Sequence, residues 1–310
     1  MLENHFLLIA NTMDADTAVM VPECYESGFC RVADTPWYES PCVERCVKTC
    51  AAYEFIGEQH PRIARYAGRD PWTDMPLFER PSGPSVEEFT REHHELMYTE
   101  QRDEPNCRPQ KQYLPLMYQW ALQALSAVSF CHKHNVIVGL FETENFLVSF
   151  PDLSISMIGF VAAKFTDGKA DTPYESDING FPSFNPFDLC VNEGAGVDAE
   201  EATITTDLFI LGTFIYVLMT DTAPDSPLDE GEDIPGEKWP HIEREYLGEV
   251  VTKCWECRYQ SVQEVRHDIV EILQHEGWEI EGHDTLKGFD ASGLFGGQLL
   301  QREHYYLGPL

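Results

Sequence analysis

Between Met1 and Ser27 the chain has no glycine, and before Lys48 it has no lysine. A glycine-free start leaves no backbone free to fold over phosphates, and a late first lysine leaves the opening strands without an amine to pair with them. Basic residues are scarce throughout, with 21 Lys and Arg against 53 Asp and Glu, a formal charge of −32 at pH 7. That balance disfavours nucleic acid and anionic membrane as partners and works against nucleotide binding, although salt screens exposed charges beyond about 8 Å. A basic protein is the charge-complementary partner it allows. The sequence also lacks an apolar run of membrane-spanning length, a secretory leader pattern and any Asn-x-Ser/Thr site. The expectation is a cytoplasmic or nuclear protein whose 10 cysteines are reduced thiols.

What is present is a chain of 310 residues with 43% hydrophobic content, enough to bury a sizeable core. Alternation and turn residues predict strands over Phe6 to Asn11, Thr17 to Pro22 and Met75 to Glu79, and two β-rich runs over Asn145 to Phe150 and Leu153 to Gly159. Helical spacing predicts helices over Pro41 to Ile56, Ser85 to Tyr98 and Tyr113 to Lys133. Ser85 caps the second of these, with acids in its first turn. Thr166 to Thr203 has little period. Glu276 to Leu310 mixes glycines with Trp278, Phe289, Phe295, Tyr305 and Tyr306, which suits an extended strap, a docking peptide or a partly disordered tail.

The stretch from Ser126 to Lys164 runs helix, loop, hairpin, and in that order it resembles the catalytic segment of the eukaryotic protein kinases. Glu144-Asn145-Phe146-Leu147-Val148 matches the family's Glu-Asn-hydrophobic run, and Ile158-Gly159-Phe160-Val161 falls where Asp-Phe-Gly belongs. Gly57-Glu58-Gln59-His60-Pro61-Arg62-Ile63 resembles the junction after the small-lobe helix in fungal kinase-like proteins. The resemblance covers Phe6 to Leu273. It implies an α+β, two-lobed kinase-like fold, with a β-rich small lobe over 1–80, a helical large lobe over 81–275 and an extension over 276–310. The first two strands would be the family's second and third.

Within this frame the family's chemistry is missing. Its His-Arg-Asp reads Val138-Gly139-Leu140, its loop Lys reads Glu142, its magnesium-binding Asp reads Gly159, and its phosphate-pairing Lys reads Met20. Phosphoryl transfer is positioning plus charge neutralisation, so a leucine and a glycine at the two carboxylate positions remove it. Asn145 alone survives, and one amide is a poor magnesium site. The helix Glu of the family's ion pair falls near Ala51. The resemblance therefore implies a catalytically inactive pseudokinase with no cofactor and no metal, acting on a protein partner as scaffold, decoy or allosteric partner. Asp207, Arg258 and Phe160 would be scaffold residues: Asp207 capping the backbone of the loop, Arg258 pairing with Glu193, Glu200 or Glu201, and Phe160 with Val138 stacking between the lobes. Met20, Leu140 and Phe160 are expected to fill the empty cleft. The rival is an atypical kinase or another kinase-fold enzyme in which Glu142, Glu144 or Asp152, taken to lie near the empty site, supplies the carboxylates.

Cys42, Cys46 and Cys50 share a helix face and Cys254 to Cys257 is a CxxC, but no second pair exists to complete a zinc site, so both sets read as buried thiols. His93-His94 and His132-Lys133-His134 read as solvated faces.

Overall fold

The computed structural model describes residues 7–11, 17–22, 41–72, 74–80, 82–102, 104, 106–166, 202–224 and 239–295. Among them the chain is a mixed α+β protein. Strands β1 (Leu7–Asn11), β2 (Thr17–Pro22), β3 (Tyr66–Arg69) and β4 (Pro76–Glu79) form one antiparallel sheet in the order β1-β2-β4-β3. Helix α1 (Pro41–Ile56) packs on β2 and β4. Its buried positions Cys46, Thr49, Cys50, Tyr53 and Ile56 follow an i, i+3, i+4, i+7, i+10 spacing, with Lys48 and Ala52 buried at the margins, so one broad stripe of the helix faces the core.

The remaining helices are α2 (Val86–Met97), α3 (Leu114–Lys133), α4 (Ile204–Thr220), α5 (Gly248–Trp255) and α6 (Val262–His275). Ser85 and Glu88 close a reciprocal capping box at the start of α2, which satisfies two backbone donors that a helix end otherwise leaves open. Helices α3 and α4 are buried almost all round, as central helices of a core must be. A hairpin of β5 (Phe146–Ser149) and β6 (Ser154–Met157) lies against α3.

Two seams join the segments that flank the sheet to the β5–β6 hairpin. At one, Ala64 N–H donates to Met157 O at 2.8 Å and Met157 N–H to Arg62 O at 2.9 Å, a short parallel bridge. At the other, Val148 N–H donates to Pro84 O at 2.8 Å. The chain passes so close here that a Cβ on Gly83 would stand 2.5 Å from Val148 O, which only glycine avoids.

The segment after α6 folds back. Over 276–295 it forms a small hairpin of β7 (Ile280–Glu281) and β8 (Thr285–Leu286), with Leu286 and Phe295 buried, and so takes the strap form among the alternatives the sequence allows. Arg62 grips it through two bonds to Asp284, 2.8 and 3.1 Å long. Residues 296–310 lie outside the described residues, as does nearly all of the aperiodic segment after Thr166. No described helix is long and apolar enough to cross a membrane.

Candidate functional site

Thr203 caps α4, so Asp207 sits in the helix's first turn with its side chain directed at the loop after α3. Its Oδ2 accepts from Val138 N–H and its Oδ1 from Gly139 N–H, both at 2.8 Å, and His132 Nε2 adds a third donor at 2.7 Å. A fully buried carboxylate is tolerable only when met in this way. His132 is therefore not on the solvated face that its sequence suggests: its side chain is 10% exposed because Asp207 draws it inward. His94 departs from that expectation too, since its Nδ1 donates to the buried Asp221 at 2.6 Å. His93 is half-buried and stacks on Phe89, and His134 lies at Phe130 O.

Gly139 has φ +81°, and a Cβ there would lie 2.2 Å from Ala162 O. No larger residue fits here without moving the backbone at Ala162. Val138 is fully buried and Leu140 half-buried, and Ile137 and Lys164 exchange two backbone bonds that pin the loop from the other side.

Asn145 is committed to the loop itself. Its Oδ1 accepts from Glu142 N–H at 2.8 Å and its backbone O from Ile158 N–H at 2.7 Å. Gly159, at φ +85°, is buried and offers no side chain. Phe160 follows with 1% exposure, its N–H donated to Thr49 Oγ1 at 3.2 Å and its ring edge-on to Tyr53 at 4.9 Å. Tyr53 also stacks on Tyr66 at 5.0 Å and meets Phe78 at 5.3 Å. Its hydroxyl is buried beside the Gly159 amide without a hydrogen bond of good geometry, and burial pushes its ionisation far above the usual tyrosine range. This aromatic plug, missed in the sequence, occupies ground next to Gly159. Its one signal was an aromatic on the core face of α1. Met20 pairs with Ile9 in the β1–β2 ladder, and its side chain lies outside the described residues. Ala51 is half-buried, Lys48 is buried with an interaction of its own, and Glu54 turns outward to Arg69.

The remaining carboxylates do not converge. Asp152 is exposed at the hairpin tip, where it accepts from Ser154 N–H and Oγ, while Glu142 and Glu144 sit at the hairpin base. Four residues of β5 separate the two ends, roughly 13 Å at strand rise, so Asp152 is not the neighbour of the other two that the sequence suggests. Glu144 faces Glu87 of α2. Burial first, then the charge and hydrogen bond of Glu87, and then Glu142, push the Glu144 carboxyl up to about 8, against a weaker pull from Arg91. Arg91 and Arg102 lie 3.9 and 3.6 Å from Glu87, and Arg102 also reaches Asp221 at 3.6 Å. Arg258 is exposed and pairs with Glu256 at 2.8 Å, while Glu193, Glu200 and Glu201 lie outside the described residues.

Among the described residues Cys46, Cys50, Cys107, Cys131 and Cys254 form no disulfide and are buried, and Cys257, also unbridged, is half-buried; Cys42 has no described side chain. Burial pushes the Cys50, Cys107, Cys131 and Cys254 thiols up, which makes them poor nucleophiles. His267, Asp268 and Glu271 come together on α6, but Asp268 already holds Lys253 Nζ and Tyr259 Oη, each at 2.7 Å. A groove of about 710 Å³ runs beside the end of α1, lined by Tyr53, Glu58, His60, Arg65, Glu79 and Leu147 among others, without a cluster of catalytic groups. No protein-family model matches the chain, and no curated protein matches it.

Proposed function

We propose that the chain is a pseudokinase: a two-lobed, protein kinase-like fold that has lost phosphoryl transfer and works by binding protein, as a scaffold, decoy or allosteric partner. The observation that carries this reading is the pair of bonds from the Val138 and Gly139 amides to Asp207. A loop held in this manner, with Leu140 and Gly159 where carboxylates would orient a hydroxyl and hold magnesium, keeps the frame of a kinase site without its reactive groups. The plug of Phe160 and Tyr53 supports it further, because apolar groups packed beside an empty site stabilise the two lobes against each other without a ligand. The excess of acids favours a basic protein as the partner, and nucleic acid, membrane and nucleotide are not part of the reading.

A second reading has one observation in its favour. Glu144 keeps its proton at neutral pH, which is the state a general acid needs, so a kinase-fold enzyme of another kind would use Glu144 with Glu142. The two readings part in a phosphoryl-transfer assay on the wild type and on the triple variant Met20→Lys, Leu140→Asp, Gly159→Asp. The pseudokinase reading expects no transfer from either protein and a less stable variant. Buried charges without metal or phosphate are costly, and an aspartate in place of Gly159 would have to adopt φ +85°. Robust transfer by the triple variant at unchanged stability would overturn it, and activity in the wild type that Glu144→Gln abolishes would favour the second reading.

A further inference from the structure

Among the described residues three large apolar side chains are exposed, and they are not alike: Leu96 and Ile204 are 40% exposed and Trp72 is 92% exposed. A single half-exposed aliphatic residue is ordinary on a surface, but an indole left almost wholly in water is not accounted for by folding. Trp72 stands in the turn between β3 and β4, and the backbone there is well tied. Asp70 N–H donates to Met75 O and Asp74 N–H to Asp70 O, both at 2.8 Å, which closes the turn. Asp70 Oδ2 accepts from Trp72 N–H at 3.2 Å, the local bond that short acidic side chains favour in turns. Asp74 sits at φ +60°, a left-handed conformation that aspartate tolerates better than most residues. The turn is also anchored to α1: Arg69 donates to Glu54 at 2.7 and 3.0 Å and to Asp74 at 3.0 Å, and Cys50 Sγ lies 3.8 Å from Asp74 O.

We propose that the β3–β4 turn is a docking contact for a basic protein partner, in which an arginine of that partner lays its guanidinium on the Trp72 indole. The charges around the ring select that occupant. Glu54, Asp70 and Asp74 outnumber Arg69 here, so the turn keeps a surplus of negative charge within a few residues of the indole. A cation over an aromatic face is attracted by the ring, and a guanidinium can stack on it while its N–H groups meet carboxylates at its edge. Lysine offers only a compact, strongly hydrated charge, and an anionic membrane surface would be repelled. An apolar pocket closing over Trp72 would strip water from the neighbouring acids, which is costly. Because the backbone that presents the ring is already fixed, binding orders little more of the chain. The inference rests on the reading of the chain as a protein-binding molecule, and not on its kinase likeness.

The test is nuclear magnetic resonance of the isotope-labelled full chain with the synthetic peptide acetyl-Gly-Arg-Gly-Arg-Gly-amide. The Trp72 indole N–H signal is the one that Trp72→Ala removes, and that variant should melt with the wild type because the side chain is exposed. The expected result is a saturable shift of this signal and about fivefold weaker binding of the peptide by Trp72→Ala. Citrulline, the uncharged isostere, in place of each arginine should weaken binding by the wild type about fivefold as well. Asp70→Asn with Asp74→Asn keeps side chains that suit the turn and should also weaken binding. No saturable shift, equal binding by Trp72→Ala or equal binding of the citrulline peptide would each overturn the proposal. A lysine peptide that binds as tightly would overturn the choice of arginine, and a shift produced by phosphatidylcholine vesicles but not by peptide would replace the protein partner by a membrane surface. Nucleotide binding or phosphoryl transfer would sink the proposed function and leave the Trp72 result standing, whereas a missing shift in a chain that binds no nucleotide would sink the contact alone.

Discussion

Asp207 and Glu144 are both carboxyl groups withdrawn from water at the same loop, yet Asp207 is met by two amides and an imidazole while Glu144 is met by another carboxylate. The difference separates two kinds of buried acid. One holds backbone in place and is satisfied by the groups it holds. The other is left to keep its proton, because what surrounds it is burial and negative charge. Asp284 is a third case, an acid whose burial raises its pKa but is outweighed by the paired bonds of Arg62, so that it ends lowered. The three should therefore respond differently to substitution.

The largest effect is expected at Asp207. Asp207→Ala leaves the Val138 and Gly139 amides unpaired in the interior and should cost on the order of 3 to 5 kcal/mol in urea unfolding. Asp207→Asn keeps one acceptor oxygen and should lose about half as much. An alanine variant that melts with the wild type would remove the distinction between the two acids.

Next comes the strap. Removing either partner of Arg62–Asp284 leaves a largely buried charge without its counterpart, so Arg62→Ala and Asp284→Ala should each cost about 2 to 3 kcal/mol. The double variant should cost less than the sum, and additive losses would mean that the pair does not couple the strap to the turn before β3.

The smallest effect should be at Glu144, and it should depend on pH. Its folded pKa, about 8, stands above the unfolded value, so the native state holds a proton that the unfolded state has released. Stability from this group is fully present below about pH 4.5 and is lost as pH rises through about 8. Glu144→Gln cannot ionise and should match the wild type at pH 4 but exceed it at pH 8 by on the order of 1 kcal/mol, a figure kept low because the site is partly solvated. A gap that does not widen with pH would show that Glu87 and Glu144 do not oppose each other.

Much of the scaffold is legible in the sequence. Helix α1 runs from Pro41 to Ile56 where its apolar period runs, and Ser85 announces α2 because a cap and its Glu88 partner are three residues apart. The role of Asp207 in capping the loop is implied by the resemblance and not by its helix position, where an acid is as readily met by water and the helix dipole; its bonds to the Val138 and Gly139 amides are seen only in the folded chain. What is not legible depends on side chains that meet from afar. Arg62 and Asp284 are 222 residues apart, His132 turns inward only because Asp207 is there, and Glu87 finds Glu144 through the packing of α2 on the loop. The strap is opaque for a related reason: two-residue strands leave no period to detect. The aromatic plug at Tyr53 was visible only as another core position of α1.

The most direct test of the central claim, a kinase frame emptied of its chemistry, is a thermal melt of the wild-type chain with millimolar ATP and magnesium. A ligand at a hundred times its dissociation constant adds about 2.7 kcal/mol, a shift that such a melt resolves readily. The predicted result is a melting temperature that ATP and magnesium do not move, and a magnesium-dependent rise would contradict it.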